Sequence, residues 1–223
     1  MGLAIRPAPA QGCCGSMHAH QGEVEAALTR AHALAKAMPG DLPVVVDSAG
    51  CGSQMKGYAD LDPLLAPVAA RVTDISEILL REGLAERLAE APGLPITATY
   101  HDACHLAHGQ RVTSPPRELL GAIPQIQLIP LPENDMCCGS AGIYNVLQPE
   151  IARQLLDRKM ANGRATGASV IALGNPGCHA WMEQGGRESG GPRILHTAEL
   201  LELAFHPFAL VEPVLNQNEA GRR

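Results

Sequence analysis

Aromatic residues, excess positive charge and long apolar runs are all scarce in this sequence. Aromatic side chains make up 3% of the 223 residues, so a core has to be built from Ala, Leu, Val and Ile. The net charge of −6 argues against a nucleic-acid-binding surface. No apolar stretch reaches the length of a membrane span, and "MGLAIRPAPAQG" lacks the apolar core of a signal peptide. These absences favour a globular cytoplasmic protein with no nucleic-acid partner.

Several short motifs are absent as well. The chain has no CxxC knuckle of the kind that zinc sites use, no GxGxxG nucleotide loop and no GxSxG elbow of a hydrolase. It does have seven cysteines, an odd number. Because no export signal is present, these cysteines are predicted to be ligands or free thiols, not structural disulfides.

β-Branched runs alternate with helical periods along the chain. The runs at 42–50, 96–104, 126–132 and 168–178 predict buried strands that end in loops of small residues. The segment "TDISEILLREG" predicts a capped helix, with Asp74 as the cap, Glu77 three residues later and Gly83 at the end. Strands alternating with helices predict an α/β fold with mainly parallel sheets that are flanked by helices.

Three landmarks recur in the same order about 125 residues later. "GCCGS" matches "MCCGS", "VVVDSAGC" matches "VIALGNPGC", and "VTDISEILL" matches "LHTAELLEL". We therefore predict two related lobes, 1–92 and 93–206, joined by "APGLP" at 91–95 and followed by a tail at 207–223. The strand and cysteine of "ITATYHDAC" have no counterpart in the first lobe, because the matching position falls before Met1. We expect the first lobe to be N-terminally incomplete.

Four cysteines of the second lobe each follow a predicted strand: Cys104, Cys137, Cys138 and Cys178. In a parallel sheet such loops gather at the carboxyl edge, so the four thiols are expected to converge. Four thiolates suit an iron–sulfur cluster or a structural zinc ion, and the absent CxxC knuckle favours the cluster. Cys13, Cys14 and Cys51 are the corresponding cysteines of the first lobe.

Histidines surround these cysteines. His105 and His179 directly follow Cys104 and Cys178 and are predicted to lie near the site, whereas His101 and His108 are interpreted as structural anchors. A disulfide redox switch between the adjacent cysteines is a minor alternative, because a disulfide between neighbouring residues is strained. A catalytic Cys–His pair is another, although nothing selects one cysteine as the nucleophile.

Three segments resemble the cysteine-rich CCG domain: "YHDACHLAHGQ", "PENDMCCGSAGIYNVLQPEIARQLLDRKMANG" and "VIALGNPGCHAWMEQG". More closely, they are similar to the C-terminal part of glycolate oxidase (glycolate dehydrogenase) iron–sulfur subunits, and the resemblance covers about Gly12 to Phe205. In that family a ferredoxin-like domain precedes two CCG repeats. Flavin-containing partner subunits oxidise glycolate to glyoxylate there, and electrons pass toward a membrane acceptor. This chain contains no ferredoxin-like part.

The resemblance implies a non-catalytic redox subunit with an iron–sulfur cluster, of the 4Fe-4S type, peripheral to the inner face of the membrane through its partners. It assigns Cys104, Cys137, Cys138 and Cys178 to one CCG motif and the first-lobe cysteines to the other. The related cysteine-rich subunit of heterodisulfide reductase adds a CxxC partner, and here Ser48 and Asn175 occupy those positions. An ordinary four-cysteine cluster is therefore favoured over a double cluster. A heterodisulfide-reductase-like or lactate-utilisation redox protein, and a zinc-bound or cluster-free scaffold, are the alternatives.

Overall fold

Residues 2–207 are described by the structure, a computed structural model, and they contain six strands arranged in two parallel sheets. The first sheet pairs β1 (Val44–Val46) with β2 (Val72–Asp74). The second sheet has the order β4-β3-β5-β6, in which the strands are β3 (Thr97–Tyr100), β4 (Gln127–Leu128), β5 (Val170–Leu173) and β6 (Arg193–His196). Every strand pair is parallel, so the predicted α/β class with parallel sheets is confirmed.

Helices fill the connections between the strands. In the first half of the chain they are α1 (Ser16–His20), α2 (Val24–Ala37), α3 (Ala49–Lys56), α4 (Tyr58–Leu61), a 3₁₀ helix (Pro63–Leu65), α5 (Ala66–Ala69), α6 (Ile75–Arg81) and α7 (Leu84–Ala89). In the second half they are a π-helix (His105–Gly109), α8 (Ser114–Gly121), α9 (Tyr144–Leu147), α10 (Pro149–Ala165), α11 (Pro176–Ser189) and α12 (Thr197–Phe205). No helix among the described residues is long and apolar enough to cross a membrane.

Two of the strands were not recognised in the sequence. β2 and β6 run straight into α6 and α12, and in each case the last strand residue is also the helix cap. Asp74 forms the predicted capping box with Glu77, and His196 forms an equivalent box with Glu199. The short strands were missed because their residues merge into the helical pattern that follows.

The predicted strand at 126–132 is shorter than expected. Only Gln127–Leu128 pairs with β3, and the chain leaves the sheet before Pro130 and Pro132, which have no N–H to donate to a strand ladder. Beyond the cysteine loop the chain forms the single turn of α9, a break at Gln148, and then α10 with proline at its first position.

Both faces of the second sheet are covered. One face carries Ala98, Tyr100, Val170 and Ala172 and packs against residues of α7, α8 and α12. The other carries Ile171 and Leu173 and packs against α10 and α11 in a cluster that includes two of the cysteines. The first sheet has a separate cluster of its own. The lobe limits stay predictions; Leu84 and Leu88, before the predicted boundary, pack in the core of the second sheet. Residues 208–223 of the predicted tail lie outside the described residues.

Candidate metal centre

The adjacent cysteines of the second lobe lie in the loop between β4 and α9, and Gly139 shapes this loop. Its φ of 94° is one that glycine adopts without strain. A Cβ at this position would lie 2.5 Å from the carbonyl oxygen of Ala152 in α10, so no side chain fits. The Gly139 N–H donates to the Sγ of Cys137 at 3.3 Å. Glycine thus lets the loop pack directly on α10 and supplies a donor that favours a thiolate at Cys137.

The first lobe builds the same turn. Gly15 has a φ of 82°, and a Cβ there would lie 2.9 Å from the carbonyl oxygen of Ala27 in α2. The Gly15 N–H donates to the Sγ of Cys13 at 3.4 Å. The matched strings "GCCGS" and "MCCGS" therefore fold into matched turns, each packed on the second helix after it, α2 or α10.

The four cysteines predicted as ligands in the second lobe come together in the structure. Cys104 follows β3 and precedes the π-helix, and Cys178 lies in the first turn of α11, just after β5. Their thiols form a connected chain in which Cys104 contacts Cys137, Cys137 contacts Cys138, and Cys138 contacts Cys178. None of the seven cysteines, all within the described residues, forms a disulfide.

Protons are shared unequally along this chain of thiols. The pKa of Cys104 is raised, first because its thiol donates a hydrogen bond to Cys137, and the pKa of Cys137 is lowered by the same bond. Hydrogen bonds to Cys137 and Cys178 raise the pKa of the Cys138 thiol. The hydrogen bond between Cys138 and Cys178 lowers the pKa of Cys178. Two of the sulfurs are thus held as thiolates by the other two, which is the form that binds metal.

His101 also lies at this group. It follows the last residue of β3, is 1% exposed, and forms a group with Cys138 and Cys178 in which the three ligand atoms lie within 4.8 Å of one another. Its Nδ1 is 3.1 Å from the carbonyl oxygen of Asn134. The sequence identified His101 only as an anchor. Its position at the end of a strand, three residues before Cys104, was the available signal that it also belongs to the site.

The other histidines differ in their distance from the cysteines. His105, predicted to be near the site, has its Nδ1 3.8 Å from the Sγ of Cys104 and stacks on His20 with ring centroids 5.1 Å apart. Burial, with His20 nearby, lowers the pKa of His105. His108 is exposed. His179 is half-buried in the first turn of α11, and its backbone N–H donates to the carbonyl oxygen of Asn175.

Two buried charges hold the loop that precedes the cysteines. Lys159 is 0% exposed and donates to the carbonyl oxygen of Asn134 at 3.4 Å. Burial lowers its pKa, while the nearby Cys138 acts in the opposite direction. Asp102 accepts from both terminal nitrogens of Arg117, at 2.7 and 2.6 Å, and from the amide of Asn134 at 2.6 Å. The loop around Asn134 is therefore fixed relative to the strand end that carries His101.

The second-lobe site is bonded to the first lobe through Asn175, the N-cap of α11. Its Nδ2 donates to the Sγ of Cys178 at 3.3 Å, and its Oδ1 accepts from the Gly50 N–H at 2.9 Å. The backbone N–H of Ala49 donates to the carbonyl oxygen of Gly174 at 2.9 Å. One amide side chain thus joins a candidate ligand to the start of α3, the helix that carries Cys51.

The first-lobe cysteines form a smaller set. Cys13 is exposed, Cys14 is buried and Cys51 is half-buried. The Cys14 thiol is hydrogen-bonded to the sulfur of Cys51. This hydrogen bond raises the pKa of Cys14 and lowers the pKa of Cys51 to about 6. The Tyr58 hydroxyl donates to the Cys14 carbonyl oxygen at 2.7 Å. Within residues 2–207, three ligand atoms lie within 4.8 Å of one another at His101, Cys138 and Cys178, and not in the first lobe.

The residues present in the second lobe fit an iron–sulfur cluster. The four cysteine sulfurs interact in neighbouring pairs, the pKa values of Cys137 and Cys178 are lowered, and a glycine N–H donates to the Cys137 sulfur. Cys104, Cys137, Cys138 and Cys178 are the residues that would hold the cluster, which supplies one-electron redox chemistry when bound. The same soft donors would also accept zinc, which has no redox chemistry.

Comparison with known proteins finds a cysteine-rich domain family and iron–sulfur subunits. The model of the CCG cysteine-rich domain matches residues 1–56 and 98–183. The chain is 36% identical over 212 residues to the "Probable glycolate oxidase iron-sulfur subunit" of Bacillus subtilis, covering 89% of this chain and 47% of that protein. It is 30% identical over 216 residues to the "Glycolate oxidase iron-sulfur subunit" of Escherichia coli, covering 92% and 51%.

A shorter relative matches over most of its own length. The "Lactate utilization protein A" of Geobacillus thermodenitrificans is 28% identical over 211 residues, which is 90% of this chain and 87% of that protein. By contrast, the chain spans about half the length of the two glycolate oxidase subunits.

Proposed function

Since this chain belongs to the cysteine-rich CCG domain family, we propose that it is an iron–sulfur electron-transfer component of a complex that oxidises glycolate to glyoxylate. The observation that carries the proposal is the connected set of four thiols in the second lobe. Four cysteine thiolates are the usual ligands of a 4Fe-4S cluster. The name of the Bacillus subtilis and Escherichia coli relatives supports the same role.

Substrate oxidation belongs to a partner in this proposal. Oxidation of a 2-hydroxy acid releases two electrons, which a flavin accepts together and passes on singly to an iron–sulfur relay. This chain would receive those electrons and pass them toward a membrane acceptor through the complex. Its cysteines are committed to holding the cluster, so no catalytic residue is assigned here.

Anaerobic purification followed by iron, sulfide and zinc analysis tests the proposal. We expect iron and acid-labile sulfide in similar amounts, visible absorbance that bleaches on reduction, and an EPR signal in one oxidation state. Stoichiometric zinc without iron would replace the proposal with a zinc-stabilised scaffold. Thiol–disulfide turnover that is lost on Cys137→Ser, in protein without iron, would instead indicate a heterodisulfide-reductase-like enzyme.

Lactate in place of glycolate is the second candidate. The observation that favours it is the match to 87% of a lactate utilisation protein, compared with about half of each glycolate oxidase subunit. Co-purification with the flavoprotein partner, followed by anaerobic addition of either acid, separates the two. Glycolate-dependent bleaching of the cluster supports the first proposal, and bleaching by lactate alone supports the second.

A further inference from the structure

His101 has an environment that the four-cysteine proposal does not explain. It lies at the carboxyl end of β3 with 1% of its surface exposed. Its Nε2 is buried and has no hydrogen-bond partner among residues 2–207. A buried polar atom without a partner is unfavourable, so such atoms are rare unless they bind something else.

The hydrogen bond on the opposite side of the ring determines which nitrogen carries the proton. Nδ1 faces the carbonyl oxygen of Asn134 at 3.1 Å, and the same oxygen accepts from the backbone N–H of Asp102 at 3.1 Å. A carbonyl oxygen cannot donate, so Nδ1 carries a proton. In neutral imidazole the lone pair is then on Nε2. A ring N–H directed at a backbone carbonyl is also the arrangement that orients metal-binding histidines.

The ring of His101 lies beside two cysteine sulfurs. The ligand atoms of His101, Cys138 and Cys178 lie within 4.8 Å of one another, and all three side chains are buried. A buried nitrogen lone pair beside sulfur is unfavourable unless a cation or a proton lies between them. A metal ion shared by the three atoms satisfies all of them at once.

We infer that His101 is a fifth protein ligand of the second-lobe metal centre, binding through Nε2 beside Cys138 and Cys178. This inference rests on the proposed function for the presence of a metal centre. It adds an imidazole nitrogen to an otherwise all-sulfur donor set.

Pulsed EPR of the full chain, loaded anaerobically with iron and sulfide, tests the inference. Protein labelled with ¹⁵N-histidine is compared with unlabelled protein to identify histidine nitrogen coupled to the cluster spin. We expect a strong nitrogen coupling, of the size given by direct iron–nitrogen bonding, that changes with the isotope. It should be lost in His101→Ala and retained in the matched control His108→Ala, which removes an exposed histidine of the same segment.

Two further variants keep the test decisive if His101→Ala does not fold. His105→Ala and His179→Ala remove the other histidines next to the cysteines, and the strong coupling should persist in both. A cluster that forms with only weak nitrogen coupling, as from an imidazolium hydrogen-bonded to sulfur, overturns the inference and leaves the proposed function intact. If iron does not bind, the proposed function fails, and cobalt loading decides about His101: unchanged visible bands in His101→Ala refute it as a ligand, and shifted bands support it.

Discussion

The two lobes share one cysteine turn but differ in what surrounds it. In both, a glycine with positive φ packs on the second helix after it, α2 or α10, and donates its N–H to the first cysteine of the pair. In the second lobe, β3 and the residues after it bring Cys104 and His101 to that turn. In the first lobe, the described residues bring only Cys51. The turn is therefore a local structure, whereas the approach of Cys104 and His101 to it depends on a neighbouring strand.

The strands that precede the cysteines also differ between the lobes, in burial and in the number of neighbouring strands. β5, which precedes Cys178, is buried at all four positions and has a strand on each side. β1, which precedes Cys51, has three residues in a two-stranded sheet, and Val45 is 47% exposed. A site at the end of a central strand is held by packing on both faces, so the second lobe is the better-defined position for a metal centre.

The largest expected difference between the lobes is in bound iron. Cys178→Ser should lose most of the iron after anaerobic reconstitution, because it removes a buried sulfur from the connected set. Cys51→Ser should retain most of it, since the described residues of the first lobe hold no comparable group of ligand atoms. Iron and sulfide analysis measures both, and Cys13→Ser at an exposed position is the control. Equal losses in the two variants would show that the lobes contribute alike.

Replacing the glycine of each cysteine turn with alanine tests how much its close contact with a helix contributes to stability. Gly139→Ala would place a Cβ 2.5 Å from backbone oxygen at positive φ, so we expect a loss of about 3 kcal/mol in the free energy of unfolding. Gly15→Ala, with 2.9 Å, should lose about 2 kcal/mol. Gly167→Ala, at a φ of 68° with no neighbour within 4 Å, is the control for backbone strain alone, about 1 kcal/mol. Denaturant titration measures the series, and a loss at Gly139 no larger than at Gly167 contradicts the packing argument.

Amide hydrogen exchange should separate the two sheets. We expect amides of β5 to exchange at least about tenfold more slowly than those of β1, equivalent to about 1.4 kcal/mol in local opening. The reason is that β5 is buried between two neighbours, whereas β1 has one neighbour and an exposed valine. Mass spectrometry of overlapping peptides provides the measurement. Equal protection in the two sheets would remove the predicted difference in stability.

Thiol reactivity in metal-free protein should show the smallest difference. The Cys51 thiolate forms above a pKa of about 6, so its alkylation by iodoacetamide should fall as pH falls through 6. Cys137 is held as a thiolate to lower pH by the Cys104 and Cys138 thiols, so its alkylation should change little between pH 5 and 8. Peptide mass spectrometry follows both sites. Cys14→Ala removes the donor to Cys51 and should shift its profile to higher pH; an unchanged profile would contradict this assignment.

Most of the fold could be predicted because its patterns are local. Each of these patterns is formed by residues that are close together in the sequence: the β-branched runs at β1, β3 and β5, and the capping box of Asp74. β2 and β6 were missed because each is three or four residues long and ends in a helix cap. β4 was predicted too long because an apolar run does not show where strand pairing ends.

The α/β class and the repeat follow from short-range patterns in the amino-acid sequence, and the common edge of a parallel sheet predicts that Cys104, Cys137, Cys138 and Cys178 approach one another. Two features could be found only in the three-dimensional structure: the His101 ring lies beside Cys138 and Cys178, and Asn175 joins the second-lobe site to Gly50. Both depend on side-chain direction and on contacts between residues far apart in the chain. A residue's position in the sequence fixes neither.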